Sequence, residues 1–255
     1  MFIDYHVHAI GHDHRPHTAE NIEEYIRYAR ENKVDELGFA DHDRYLFEKL
    51  DLSLYEEIRE KTKDVVIKIG IEIDYYPDQH EEIAKKVGYY DYDFIIGSVH
   101  YIGRWMFDSD KERKEYKTWD HDKLYEKYIS LVTESARKDF YDILGHIDLI
   151  KIFGIKPIKQ RPENIFAPYL KKIAKTDLVV EINTNGLNKP VKEIYPSKEI
   201  VSLLYENNIG ITLSSDAHHP EEVGRDLGLA LDMAKKAGYK KFASFTKRNV
   251  SYISL

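Results

Sequence analysis

Along this chain strand-like runs alternate with helix-like runs, and strand after strand ends in a histidine or an acid. No other feature limits the possible folds so tightly. In the first run Ile3, Tyr5 and Val7 alternate with Asp4, His6 and His8. That is the period of a pleated strand, so both imidazoles leave one face near its end. Residues 36–40 read as the second strand and deliver Asp41-His42-Asp43; residues 65–71 deliver Glu72, and 93–99 end at His100. Residues 142–145 lead to His146, and 178–182 lead to Asn183-Thr184-Asn185-Gly186. Residues 210–213 deliver Ser214-Ser215-Asp216-Ala217-His218.

Helices are expected between them. The first is capped by Thr18 and runs to Glu31, with Ile22, Tyr25, Ile26 and Ala29 on one face. Further helical runs cover 54–63, 79–87, 123–138, 164–175, 197–207 and 220–237, and residues 241–255 close the chain. Such alternation with short connections implies a parallel sheet, and about seven units in 255 residues suit a barrel better than an open sheet. There is no repeat, low-complexity tract or Gly/Pro-rich linker, so one domain over 1–255 is expected. The charged segment 101–120, with Trp105 and Trp119, reads as a loop over the site.

Composition narrows the chemistry. A net charge of −7 lacks the basic footprint of a general nucleic-acid binder. It leaves room for an anionic small substrate, because bound metals set a site's local charge. With no cysteine, any metal must sit on His, Asp and Glu. Met1 runs straight into the first strand and the apolar runs are far short of a membrane span, so no membrane association and a cytoplasmic location are expected. Lys, Glu, Ile and Tyr are abundant while Gln occurs only at 79 and 160, a balance seen in many thermophile proteins.

In a parallel barrel, function gathers at the C-terminal ends of the strands. Those ends carry His6, His8, His42, Glu72, His100, His146, Asp216 and His218. Any one of them alone reads as a hydrogen-bonded core residue. Together they exceed what one tetrahedral ion needs, and burying so many ionisable groups without partners would cost several kcal/mol each. Two or three divalent ions are expected, with Glu72 as a bridging carboxylate. All-N/O ligation suits Zn, Mn or Fe rather than Mg or Ca. Clustered metals clamp an in-line displacement at phosphorus and activate a bound water as the nucleophile. Phosphate-ester hydrolysis is the leading chemistry, and amide or amidine hydrolysis the rival.

At this point the chain resembles the PHP (polymerase and histidinol phosphatase) superfamily. The blocks that carry the likeness are His6-Val7-His8, Ala40-Asp41-His42, Gly97-Ser98-Val99-His100 and Ser215-Asp216-Ala217-His218. Glu72 and Gly145-His146-Ile147-Asp148 fall between them in the expected order. Within the superfamily the chain is most similar to stand-alone histidinol-phosphate phosphatases. Trp105 and Asp108 after the third block, the run 181–186, and His219-Pro220-Glu221 with Val223-Gly224 carry that likeness. The resemblance implies a distorted (β/α)7 TIM-like barrel with three metals. His6, His8, Glu72 and Asp216 would hold the first ion, and Glu72, His100 and His146 the second. His42 and His218 would hold the third with one residue of the first loop, His14 first, with His12, Asp13 and His17 as alternatives. Glu72, Asp216 and His100 are the residues expected to carry catalysis.

A phosphate monoester brings about two negative charges, and arginine's fork matches its oxygens. The candidate clamps on loops are Arg161, then Lys189, with Arg104 and Arg225 behind them. Asp108 is expected to meet the ammonium of histidinol, with Trp105 and Phe107 covering its imidazole. Asp43, Asp74 or a bound water would protonate the leaving alkoxide. His80 and His121 are expected at the surface, and His219 there or behind a ligand. The expected activity is hydrolysis of L-histidinol phosphate to L-histidinol and phosphate. The alternative is a PHP phosphoesterase for another small phosphate ester or a nucleotide; a non-catalytic binding module fits poorly because every block is filled.

Overall fold

The computed structural model describes residues 2–12, 15–137 and 139–255. The first half runs β1 (Phe2–Val7), α1 (Ala19–Glu31), β2 (Val34–Phe39), α2 (Leu52–Lys61), β3 (Val66–Asp74), α3 (His80–Val87) and β4 (Phe94–Ser98). A small hairpin, β5 (Tyr101–Ile102) and β6 (Trp105–Met106), follows, then α4 (His121–Ser135), β7 (Ile143–Leu144) and α5 (Pro162–Ile173). The chain ends with β8 (Val179–Asn183), α6 (Lys198–Glu206), β9 (Gly210–Ser214), α7 (Leu227–Ala237), β10 (Lys241–Thr246) and β11 (Asn249–Ser254).

Seven parallel strands pair in the order β1-β2-β3-β4-β7-β8-β9. The first and last of them meet through a bridge between Val7 and Ala217. There His8 N–H donates to Ala217 O at 2.8 Å and Ala217 N–H to His6 O at 3.1 Å. The result is a nearly closed barrel, as the alternation predicts. The expected helical faces are observed too: Ile22, Tyr25, Ile26 and Ala29 are buried on α1, and Thr18 Oγ1 accepts from Asn21 N–H at 3.3 Å.

Three segments differ from the sequence reading. β3 extends to Asp74, so Glu72 lies inside a strand rather than beyond one. The expected helix over 220–237 is broken: a 3-10 turn, Pro220–Glu222, is separated from α7 by Gly224 and Asp226, both at positive φ. Residues 241–255 form an antiparallel hairpin beneath the barrel. It reaches residues just before two strands, with Lys247 N–H on Asp93 Oδ1 and Arg248 Nε on Asp142 Oδ2 (2.9 Å). Among the described residues no helix is long and apolar enough to cross a membrane.

Candidate metal centre

The strand ends converge at one mouth of the barrel. Glu72, on β3, is 1% exposed and lies at the centre. Its Oε1 is 3.4 Å from His6 Nε2, 3.3 Å from His146 Nε2 and 3.6 Å from His100 Nε2. Its Oε2 is 2.6 Å from His42 Nδ1 and 3.8 Å from His8 Nε2. Asp216 Oδ1 lies 3.5 Å from both His8 Nε2 and His218 Nδ1. Asp216 itself adopts a φ of +53°, a left-handed conformation that aspartate tolerates better than most residues.

Three sets of side chains bring ligand atoms within 4.8 Å of one another: His6, His8 and Asp216; His6, Glu72 and His146; and His8, His42 and His218. The Nε2 atoms of His6, His8, His42 and His218 and both Glu72 oxygens are buried without a hydrogen bond among the described residues. Leaving so many buried polar atoms unmade is expensive. Nitrogen lone pairs and carboxylate oxygens facing a shared space are the donor set of a divalent transition metal, and these residues fit such ions. Expected ligands His6, His8, His42, Glu72, His100, His146, Asp216 and His218 are thus all brought together.

The first loop supplies His12. Gly11, at φ +60°, lets this loop run against the last strand's exit, where a Cβ would meet His218 O at 2.8 Å. The His12 ring stacks on His218 at 4.2 Å between centroids and lies 5.2 Å from His42. His17 turns elsewhere, accepting from Asp51 N–H at 3.3 Å and packing edge-on against Tyr55. The expected ligand His14, and its alternative Asp13, lie outside the described residues.

A second layer of acids orients the imidazoles. Glu181 on β8 lies 2.9 Å from His6 Nδ1, and accepts from Ser214 Oγ at 2.7 Å and from His146 N–H at 2.6 Å. Asp74 Oδ1 is 2.5 Å from His100 Nδ1. Asp4 takes Ser215 N–H and Gly224 N–H, each at 2.8 Å, fixing the last motif to β1. Glu181 was not singled out as a site residue from sequence. The available signal was an acid at the inward register of an otherwise apolar strand, Val179-Val180-Glu181-Ile182.

Charge in this cluster is divided. Burial alone would raise Glu72, yet His42, His6 and His100 hold its carboxylate well below the usual range. His100 resists its burial because Asp74 and Glu72 push it up to about 10. Burial and the neighbouring imidazoles His218 and His42 drive His12 down to about 3, and burial brings His218 to about 4. Neutral His12 and His218 therefore sit in one cluster with a protonated His100 and a held Glu72 carboxylate.

A cavity of about 230 Å³ opens over the cluster. Lys189 and Asp108 line it as expected, and so does Arg44, which the sequence reading missed. Arg44 follows His42 by two residues and its guanidinium lies 3.1 Å from His12 Nδ1. Arg161 is not there. Asp122 on α4 collects the N–H groups of Ile158, Lys159 and Gln160, holding that loop outward. The Arg161 side chain is 80% exposed and pairs with Glu163. Arg104 occupies the exposed two-residue turn between β5 and β6 and does not line the cavity. Arg225 pairs with Glu222 at 3.0 Å. The aromatic cover is also absent: Phe107 packs on Tyr128 and Trp105 on Tyr116, in the core and outside the cavity lining. Asp43 is held by Lys86 at 3.0 Å and does not line the cavity, whereas Asp74 does. His80 and His121 are half-buried rather than exposed.

Comparison with known proteins sets this geometry in context. A family model described as PHP domain matches residues 4–185. A probable histidinol-phosphatase of Deinococcus radiodurans is 39% identical over 62% of this chain, and that match spans 60% of the relative's own length. A histidinol-phosphatase of Lactococcus lactis is 25% identical over 96% of this chain and 94% of its own. Among solved structures, histidinol phosphate phosphatase from Lactococcus lactis, complexed with zinc, L-histidinol and phosphate, superposes with a TM-score of 0.80 at 21% identity, covering 98% of each chain. A histidinol phosphatase fold from Listeria monocytogenes gives 0.74 at 22% identity, covering 89% of this chain and 98% of its own.

Proposed function

Since this chain belongs to the PHP domain family, we propose that it is a metal-dependent phosphomonoesterase that hydrolyses L-histidinol phosphate to L-histidinol and phosphate. The observation that carries the reading is the Glu72-centred set of buried, unpartnered ligand atoms beneath a small cavity that holds both cations and acids. The names of its relatives point to the same substrate.

His6, His8, Glu72 and Asp216 would hold one divalent ion, and Glu72, His100 and His146 a second. His42 and His218 would hold a third together with a first-loop residue, His14 or, by its position against both rings, His12. The ions are zinc, manganese or iron. When bound, they supply an activated water and neutralise charge on the phosphoryl oxygens.

The protein's own residues do the rest. Arg44 and Lys189 take the clamp expected of Arg161, because among the described residues they are the Lys/Arg side chains that line the cavity. Asp108 faces the same space, half-buried, with Oδ1 lacking a hydrogen bond among the described residues, and accepts from the substrate ammonium. Asp74 fixes the His100 ring, and Glu181 fixes His6 and the His146 backbone.

The test strips the protein of metal and restores Zn, Mn or Fe separately. Phosphate release is then followed from L-histidinol phosphate, a panel of phosphomonoesters and a phosphodiester. A kcat/KM at least about a hundredfold above the rest, ~2.7 kcal/mol of discrimination, is expected for histidinol phosphate. Uniform weak hydrolysis would keep the metallophosphoesterase and discard this substrate.

A further inference from the structure

A second cavity, about 560 Å³, lies behind the loops that frame the metal centre and shares none of its lining residues. Its size falls in the range of small-molecule sites. Two loops, those after β7 and β8, have one face toward each space. Leu149 and Ile152 line the metal-centre cavity, while Asp148 and Lys151 from the same turn line the second. Asn185 and Lys189 face the first and Leu187 the second; Tyr195 faces the first and Ile194 the second.

The loops are tied to one another. Lys151, 4% exposed, donates from Nζ to Ile194 O at 2.8 Å and pairs with Asp148 at 2.9 Å. Val191 N–H donates to Ile152 O at 2.9 Å. Whatever occupies the second cavity touches a network that also positions the wall of the first.

The lining specifies the kind of ligand. Tyr125, Leu187, Ile194 and Met233 make an apolar surface. Around it stand four cations, Lys151, Lys156, Arg161 and Lys198, and four acids, Asp148, Glu163, Glu193 and Glu199. A net anion or a net cation would meet as much repulsion as attraction there. A dipolar molecule with adjacent opposite charges and an apolar tail meets complementary partners at each group. Lys156 pairs with Glu193 at 2.9 Å, Arg161 with Glu163 at 3.4 Å and Lys198 with Glu199 at 3.8 Å, so the wall presents cation and acid side by side, the cations suited to a carboxylate and the acids to an ammonium.

We propose that this cavity is a second ligand site, which takes a free α-amino acid with an aliphatic or aromatic side chain and tightens the two loops it shares with the metal centre. It assigns Arg161 a role away from the phosphoryl group, and it does not depend on which phosphate ester the metal centre cleaves.

The test is calorimetric titration of the metal-loaded protein with L-leucine and L-phenylalanine, beside isoamylamine and hydrocinnamate, which carry one charge each. Saturable heat is expected for the amino acids, with both half-charged analogues at least about tenfold weaker. The K156A/R161A double variant should lose about tenfold in amino-acid affinity. Hydrogen exchange in residues 147–153 and 185–195 should slow when the amino acid is added. No saturable heat with either amino acid would overturn the proposal, as would equal binding of the analogues. Undiminished affinity in the double variant, or unchanged exchange in those loops, would overturn it equally.

Discussion

Five imidazoles approach the two oxygens of Glu72, and no other side chain of the centre has so many partners. This crowding sets how protons and metal compete. Without metal, His6 is held well above its usual value against its burial by Glu181 and Glu72, and His100 is held up to about 10 by Asp74 and Glu72. The His100 imidazole therefore carries a proton near pH 8, His6 is shifted in the same direction, and a metal ligand must be neutral. Metal binding should therefore expel protons, and affinity should rise with pH toward about 10. His12 and His218, at about 3 and 4, are already neutral and contribute nothing to this slope above about pH 5. Zinc titration of metal-free protein in buffers of different ionisation enthalpy measures the number released; a value of zero would refute the assignment. Arg44 makes a different prediction. Its replacement by alanine should lower kcat/KM for the phosphomonoester about 10- to 100-fold and weaken inhibition by inorganic phosphate in parallel, with lysine restoring part of both. An unchanged phosphate inhibition constant would return Arg44 to the surface charges.

At the scale of elements, the hairpin of β10 and β11 matters as much as any barrel strand. Tyr5, in the stretch of β1 where its register with β2 shifts, receives Phe245 N–H at 2.9 Å, contacts Ser244 Oγ at 3.1 Å and hydrogen-bonds Glu36. Lys68 on β3 reaches Thr246 Oγ1 at 2.6 Å. Substituting Tyr5 by phenylalanine strands a buried donor and acceptors, at a cost of about 1–3 kcal/mol. Thermal unfolding should shift down by about 3–8 °C, and an unshifted Tm would show that these groups find other partners. The strand ends, the helical faces and the convergence of His6, His8, His42, Glu72, His100, His146, Asp216 and His218 were legible in the sequence. They follow from strand periodicity and from the rule that parallel barrels present one end of every strand together. Arg161 was misplaced and Arg44 missed because loop direction is set by tertiary hydrogen bonds. Asp122 turns one loop out, and no local pattern announces it. Trp105 and Phe107 were read as cover for the same reason: an irregular segment shows its aromatic residues but not which core they fill.

For the whole molecule, the barrel closes between β1 and β9, which meet through a bridge at Val7 and Ala217 instead of a ladder. The proposed metal ligands straddle that seam, with His6 and His8 on one side and Asp216 and His218 on the other. Removing metal should lower Tm, because an ion bound to the folded state alone stabilises by mass action, ~4 kcal/mol at a thousandfold its Kd. Hydrogen exchange should accelerate first in residues 2–10 and 214–219, and uniform acceleration over all seven strands would refute a local seam. The same arrangement bears on how the protein is made. More than two hundred residues separate His8 from Asp216, so a nascent chain carries half a coordination sphere throughout most of its synthesis. Only when the last strand emerges and docks does a complete site exist, and a chain that arrests earlier leaves the ribosome without the means to hold its metal.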